Sequence, residues 1–198
     1  MVRLFLAALV VLAAGPALAH HPMGGQVPET LMHGLLSGLG HPIIGLDHLV
    51  FIVAAGLLSA PRARGLILPL AFVGGSFAGS LLHLAGVGLP GGELLIAGSV
   101  ILLGLLLVSA RRIDDGLFAA ILVLAGLFHG HAFAESIFGA EPTPLVAYLA
   151  GLAAVQYAIA TGICLAWGRL ALPVRADRFA GAGVAAAGAL FLVLNIAG

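Results

Sequence analysis

Residues 41–55 read His-Pro-Ile-Ile-Gly-Leu-Asp-His-Leu-Val-Phe-Ile-Val-Ala-Ala, and this stretch decides the fold class. It places two imidazoles and a carboxylate at the start of a long apolar run. Such groups are costly in hydrocarbon, by roughly 2.5–3.5 kcal/mol for an Asp at the centre of a membrane helix. A second stretch of this kind, residues 128–135, reads Phe-His-Gly-His-Ala-Phe-Ala-Glu. Polar groups kept inside apolar segments usually have a function, so the two stretches define the candidate site.

The composition is that of an integral membrane protein. The 198 residues are 62% hydrophobic, only 8% are charged, and the mean hydropathy is +1.20. A soluble domain carries about 25% charged residues. The 29 glycines and many alanines suit helices that pack closely in lipid. The net charge of zero argues against nucleic acid as a partner.

The chain contains no lysine, and this absence excludes several functions. Its eight basic residues are all arginine. A P-loop holds its nucleotide with a lysine, so the chain has no ATP site of that type. Retinal and pyridoxal phosphate also need a lysine for their Schiff base. The single cysteine, Cys164, can form neither an intrachain disulfide nor a thiolate metal cage. We therefore predict no resident cofactor.

Residues 1–19 have the pattern of a cleavable signal peptide. Arg3 supplies the charged start, and residues 4–14 form an apolar run that is too short to span a bilayer comfortably. Residues 17–19, Ala-Leu-Ala, match a cleavage site. A retained helix is the alternative. Cleavage would leave His20 at the N-terminus, followed by a periplasmic or interfacial segment over residues 20–42.

Six apolar segments predict an all-α, polytopic membrane domain over residues 43–198. Each has about the 17–25 residues that a helix needs to cross a bilayer, and the alternating pattern of a membrane strand is absent. The Gly-rich residues 28–40 before them suggest an interfacial or re-entrant segment. The predicted spans lie near residues 43–59, 66–86, 93–109, 117–138, 144–166 and 179–197.

The arginines predict the orientation, because cytoplasmic loops are enriched in basic residues. With the N-terminus outside, the cytoplasmic loops carry seven of the eight arginines, while the opposite loops, 87–92 and 139–143, carry none. We therefore expect a bacterial inner-membrane protein with a periplasmic N-terminus. In this orientation all eight histidines lie in the outer half or beyond it. The cytoplasmic loops are 60–65, 110–116 and 167–178.

Histidines gathered on the outer side indicate a site that collects a cation from outside. His41 and His48 are seven residues apart and would share a face of one helix beginning at Pro42. Asp47 could ligate the ion or orient an imidazole. Imidazole and carboxylate ligands without thiolate suit Ni²⁺, Co²⁺, Zn²⁺ or Cu²⁺ better than Ca²⁺ or Mg²⁺. The competing interpretation is a structural network of hydrogen bonds.

The fourth span carries a second group of candidate ligands. His131 and Glu135 are four residues apart and share a face. His129 is offset from Glu135 by roughly 120°, so either a kink at Gly130 or a second site is needed. For His83, ligation and burial in the core are equally good interpretations. It ends a polar stripe on the second span that could line a pathway, formed by Ser76, Ser80 and His83.

At these two motifs the chain resembles the HupE/UreJ family of nickel and cobalt permeases. The resemblance extends over the signal peptide, the six spans and both clusters. The first family motif, H-x5-D-H, is intact as His41, Asp47 and His48. The resemblance implies uptake of Ni²⁺ or Co²⁺ for urease, hydrogenase or cobalamin synthesis, with these residues among the ligands.

The second family motif is present with departures. It matches over residues 128–130 and at Ala132, and an acid follows. In a common form of the motif a His or Tyr and then a Gly follow the Ala, whereas this chain has Phe133 and Ala134. Glu135 stands one residue before the acid of one family version, whose position holds Ser136. The resemblance therefore carries over His129 directly and leaves Glu135 shifted by one position.

We therefore expect a secondary permease for Ni²⁺, with Co²⁺ or Zn²⁺ as alternative ions, and not an enzyme. Two other classes stay open. One is a membrane-embedded zinc hydrolase, although the chain has no H-E-x-x-H or G-x-S-x-G motif. The other is a haem-binding membrane anchor with paired histidines. The expected metal ligands are His41, Asp47, His48 and His129, assisted by His131, Glu135 and His83.

Overall fold

The computed structural model describes residues 26–170 and 172–197, and every regular element in these ranges is helical. The all-α prediction is therefore confirmed. The predicted signal peptide and its cleavage site lie outside the described residues. The helices are α1 Leu31–Ile44, α2 Leu46–Ser59, α3 Pro69–Leu84, α4 Gly92–Ser109, α5 Asp115–Phe133, the 3-10 helix Ala134–Ile137, α6 Pro142–Leu170 and α7 Val174–Ala197.

Four of these helices are long and apolar enough to cross a membrane singly, namely α4, α5 with the 3-10 helix, α6 and α7. The α1–α2 pair qualifies as a fifth candidate, bent by 78° at its break. Helix α3 is apolar but has only 16 residues. The protein is therefore a multi-pass membrane protein with four to five candidate spans among the described residues. Each of the six predicted segments coincides with a helix, but α2 and α3 are shorter than predicted.

The break between α1 and α2 corrects the prediction that His41 and His48 share one helix. Pro42 lies inside α1 instead of starting a helix, and α1 ends at Ile44. Gly45 separates the two helices, and its N–H donates to the carbonyl of His41 at 3.0 Å. A Cβ at Gly45 would lie 2.7 Å from the His48 ring. Glycine thus allows the tight bend that brings the two motif histidines together from different helices.

Close approach of α3 and α5 fixes the helix that carries His129. A Cβ at Gly79 would collide with the carbonyl oxygen of Leu127, and one at Gly130 with that of Ser76. Helix α5 runs unbroken through Gly130, so the structure has no break there. Small residues four apart permit this approach, and the described helices place Gly75 and Gly79 on α3 and Gly126 and Gly130 on α5.

Helices α2 and α5 run antiparallel, which separates the histidine end of the bundle from an arginine end. Nδ1 of His48, at the start of α2, lies 2.7 Å from Nδ1 of His129, near the end of α5. At the other end, Arg62 donates to a carboxylate oxygen of Asp115 at 2.6 Å and to the carbonyl of Ile113 at 3.0 Å. The 19 residues of α5 therefore separate the two ends, by roughly 28 Å at 1.5 Å per residue.

The close packing of α3 against α5 predicts that Gly79→Ala destabilises the protein. The added methyl group forces the two backbones apart, at a cost of roughly 1–3 kcal/mol. The matched control is Gly74→Ala on the same helix, where a Cβ would meet nothing within 4 Å. We expect thermal unfolding in detergent to show a lower midpoint for Gly79→Ala and an unchanged or higher one for Gly74→Ala. Equal midpoints for the two variants would contradict the packing described.

Candidate metal centre

The candidate metal centre, called the buried centre below, is formed by His41, Asp47, His48 and His129. Two buried imidazoles, His48 on α2 and His129 on α5, lie at its middle. His48 and His129 are 2% and 0% exposed, and their Nδ1 atoms lie 2.7 Å apart. The hydroxyl of Ser99 donates its single hydrogen to the carbonyl of Ile96 at 2.7 Å, so it accepts from Nε2 of His129 at 3.0 Å. Nδ1 of His129 therefore presents a lone pair to His48. This is the form of imidazole that binds a metal ion.

Asp47 lies in the first turn of α2, beside the imidazole of His48. Its Oδ1 accepts from the backbone N–H of His48 at 2.8 Å and lies 4.0 Å from Nε2 of that residue. A carboxylate is favourable at this place because the N-terminus of a helix carries partial positive charge. Asp47 is only 6% exposed. It thus adds a buried carboxyl group next to the paired imidazoles.

His41 reaches the centre from the end of α1. Its Nδ1 lies 2.8 Å from the hydroxyl of Tyr148 and 3.0 Å from that of Ser136. Tyr148 donates its own hydrogen to the carbonyl of Phe133 at 2.6 Å, so Nδ1–H of His41 donates to Tyr148. Nε2 of His41 is then the nitrogen with a lone pair. The His41 and His48 ring centroids are 6.1 Å apart.

Aromatic rings hold these imidazoles in place. The centroid of the Phe133 ring lies 4.1 Å from that of His48 and 5.1 Å from that of His41. The Phe51 ring lies 4.5 Å from His129. Both phenylalanines are fully buried. The centre is therefore a buried cluster in which packing fixes the positions of the rings.

The other three predicted ligands form a separate cluster at the ends of α3 and α5. Nδ1 of His83 lies 3.4 Å from Nδ1 of His131. One ligand atom each from His83, His131 and Glu135 lie within 4.8 Å of one another. The two histidines are partly exposed and Glu135 is exposed. Because His129 and His131 point about 200° apart around α5, the structure does not bring His131, Glu135 or His83 to the buried centre.

The polar stripe on α3 joins helices. The hydroxyl of Ser80 donates to the carbonyl of Gly130 at 2.9 Å. The side-chain amide of Gln156 on α6 donates to the hydroxyl of Ser76 at 3.0 Å. Among the described residues, Oε1 of Gln156 is a buried acceptor without a hydrogen-bond partner. These serines therefore hold α3 against α5 and α6, and one buried acceptor lies beside them.

Sequence reasoning missed the residues that orient the imidazoles. Tyr148 and Ser99 come from α6 and α4, in segments that read as uniform apolar spans. In the sequence, Ser136 stands out only by its place in the second motif, and Phe133 only as a departure from that motif. A lone hydroxyl in an apolar helix is a weak signal, because serine and threonine also bond within their own helix. Only the folded arrangement gives these side chains their partners.

The fold and the site define a polytopic helical membrane protein with a buried histidine–carboxylate cluster. The chain belongs to the HupE/UreJ family, since the family model described as HupE / UreJ protein matches residues 7–191. Protein HupE of Rhizobium leguminosarum bv. viciae is 37% identical over 187 residues, which cover 90% of this chain and 92% of that protein. No solved structure matches the chain significantly.

Because the hydroxyl of Tyr148 accepts from His41, we predict that this hydroxyl holds the His41 ring in the orientation that binds metal. Tyr148→Phe keeps the ring and removes the oxygen that accepts from Nδ1 of His41. We expect a 10- to 100-fold weaker affinity for Ni²⁺, the usual range when a partner of a ligating histidine is lost. The measurement is a metal titration of the purified protein in detergent.

The matched control is Tyr157→Phe. Tyr157 donates to the carbonyl of Leu66 at 3.1 Å, away from both histidine clusters. Its affinity for Ni²⁺ should stay at the wild-type value. If Tyr148→Phe also binds as the wild type does, Tyr148 does not position a ligand.

Proposed function

We propose that the protein takes up Ni²⁺, with Co²⁺ as the alternative ion, from the periplasm across the bacterial inner membrane. One observation carries the proposal: the buried imidazoles of His48 and His129 are in contact, the Asp47 carboxylate lies 4.0 Å from His48, and the ring of His41 lies 6.1 Å from that of His48. A divalent ion that leaves water needs ligands to replace its hydration shell. Nitrogen and oxygen ligands without thiolate suit nickel and cobalt.

Family membership supports a transporter over the two other classes. The sequence resemblance links the HupE/UreJ family to nickel and cobalt uptake. It implies supply of the ion to urease, hydrogenase or cobalamin synthesis. The curated relative carries the name Protein HupE, and its similarity covers nearly the full length of both chains. We therefore propose a permease and not an enzyme.

Metal binding at the centre involves a proton. Without an ion, one hydrogen lies between Nδ1 of His48 and Nδ1 of His129, which are 2.7 Å apart. Two nitrogens bound to one ion are farther apart, at about 2.9–3.3 Å for metal–nitrogen bonds of 2.0–2.1 Å. An ion that enters between them therefore displaces the hydrogen and spreads the rings by a few tenths of an ångström. Because ligating imidazoles must be deprotonated, binding weakens in acid.

The route inward passes between α3 and α6 in our proposal. Gln156 and Ser76 are the buried polar side chains there, and Oε1 of Gln156 has no hydrogen-bond partner among the described residues. An unsatisfied buried acceptor is costly, and a passing cation or its water would satisfy it. A membrane potential of 100 mV supplies about 4.6 kcal/mol for a divalent ion, at about 2.3 kcal/mol per charge.

The arginines support six crossings with both termini in the periplasm. If α3 did not cross, Arg62 and Arg111 would lie on opposite sides of the membrane. With α3 crossing, the ends of the helices that carry the arginines would all face the cytoplasm, as the positive-inside rule requires, namely Arg62 and Arg64, Arg111 and Arg112, and Arg169 and Arg175. The α2 and α3 helices would then cross as short helices, while α1 packs against the first half of α6.

A reporter at the C-terminus tests the number of crossings. Six crossings from a periplasmic N-terminus return the C-terminus to the periplasm. Alkaline phosphatase fused after residue 198 should then be active, and green fluorescent protein at the same place should be dark. A fusion after residue 112 serves as the control and should give the opposite pattern. An inactive phosphatase at the C-terminus would leave an odd number of crossings and contradict the proposal.

Substitution of the first motif tests transport itself. His41→Ala removes a ligand, and Asp47→Asn removes the buried charge while keeping the shape. We expect uptake of radiolabelled nickel in a transport-deficient host to fall about tenfold or more for each variant. His33→Ala is the matched control, because His33 is exposed on α1 and lies in neither cluster. Cobalt competition in the same assay ranks the two ions.

Equal amounts of protein in the membrane must be verified by immunoblot. Unchanged uptake in both motif variants would overturn the proposed role of the buried centre. A fall in the His33 control equal to that of the motif variants would do so as well.

A further inference from the structure

We propose that His83, His131 and Glu135 form a second binding site for a divalent transition-metal ion, separate from the buried centre. The site lies at the end of α3 and at the junction between α5 and the 3-10 helix, at the histidine end of the bundle. Its existence rests on local geometry alone. Its role, capture of the ion before the ion enters the buried centre, rests on the proposed function.

The distances fit a single small ion. The Nδ1 atoms of His83 and His131 are 3.4 Å apart. Two nitrogens that bind one tetrahedral ion at 2.0–2.1 Å are about 3.3 Å apart. The ligand atoms of all three residues lie within 4.8 Å of one another. An ion between the imidazoles therefore needs only a small movement of the exposed Glu135 carboxylate.

The ring of His131 is oriented for metal binding by a backbone carbonyl. Its Nε2 lies 2.9 Å from the carbonyl oxygen of Val87, in the loop between α3 and α4. A carbonyl only accepts hydrogen bonds, so Nε2 carries the hydrogen and Nδ1 carries a lone pair. Ligating histidines in metal sites have this arrangement, in which the second nitrogen donates to a carbonyl or carboxylate. The lone pair of His131 points at His83.

Exposure distinguishes this cluster from the buried centre. His83 and His131 are partly exposed and Glu135 is exposed, whereas His48 and His129 are buried. Three protein ligands leave positions on the ion for water, so the ion can exchange with the solution. Two imidazoles and a carboxylate select nickel, cobalt or zinc over calcium and magnesium. These are the properties of a capture site.

Helix α5 separates the two sites. His129 and His131 are separated only by Gly130, whose carbonyl accepts from Ser80 at 2.9 Å. The imidazoles leave α5 in nearly opposite directions, about 200° apart, so no ion contacts both. The ligands of the second site can therefore be changed without touching His129 or its partners.

Ion stoichiometry of the purified protein tests the proposal. We expect the double variant His83→Ala, His131→Ala to bind one Ni²⁺ fewer per chain than the wild type in equilibrium dialysis. The control variant His33→Ala should bind as many ions as the wild type. The absorption of Co²⁺ loaded in place of Ni²⁺ gives a second readout, since the double variant should lose the bands of one of two cobalt environments. Unchanged stoichiometry and spectrum in the double variant would overturn the site.

A second, milder variant guards against misfolding. The variant is Glu135→Gln, and Glu135 is exposed at the surface. Glu141→Gln is the matched control, because Glu141 is also exposed. We expect about tenfold weaker affinity at one of the two sites for Glu135→Gln, and wild-type affinity for Glu141→Gln. Equal affinities in the two variants would remove Glu135 from the site.

Transport kinetics test the capture role separately from the existence of the site. The double variant should raise the KM for Ni²⁺ uptake about tenfold while the maximal rate stays near that of the wild type, because the buried centre is intact. His41→Ala should instead lower the maximal rate. If the wild type does not transport nickel, the proposed function fails while the dialysis result still decides the second site. An unchanged KM would overturn the capture role.

Discussion

The contact between Nδ1 of His48 and Nδ1 of His129 is the constraint on which the site depends. Two fully buried imidazoles with nitrogens 2.7 Å apart are stable only when a single hydrogen lies between those nitrogens. The hydroxyl of Ser99 settles which nitrogen of His129 holds its hydrogen, and Asp47 accepts from the backbone beside His48. Hydrogen bonds to Ser99 on α4 and to Asp47 at the start of α2 therefore orient the two imidazoles that meet between α2 and α5.

Backbone geometry makes the contact between His48 and His129 possible, and the sequence predicts part of that geometry. Periodicity and length were sufficient for the all-α class and for the position of each predicted segment, because apolar runs of this length have one stable form in a membrane. The seven-residue spacing of His41 and His48 predicts a shared face on one helix, and nothing in the sequence marks the bend at Gly45. A glycine in an apolar run does not reveal that a neighbouring ring needs its space.

The grouping of the candidate side chains was predictable where they are close in sequence, and their hydrogen-bond partners were not predictable where these come from distant segments. The roughly 120° offset between His129 and Glu135 already required either a kink or a second site, and α5 runs unbroken through Gly130. By contrast, Tyr148 is 107 positions from the His41 nitrogen that donates to it. Pairings of this kind depend on which helices become neighbours, and one sequence does not determine that.

The two proposed sites differ in depth, and this difference bears on a conflict in metal uptake. A site that captures dilute nickel must bind it well, and a Kd of 1 μM corresponds to about −8.2 kcal/mol. A potential of 100 mV returns only about 4.6 kcal/mol to a divalent ion that crosses the whole membrane. Release from a deep site therefore needs a further contribution. In the proposed mechanism a proton competes with the ion for this site, because its return between Nδ1 of His48 and Nδ1 of His129 would restore their 2.7 Å contact as the ion leaves.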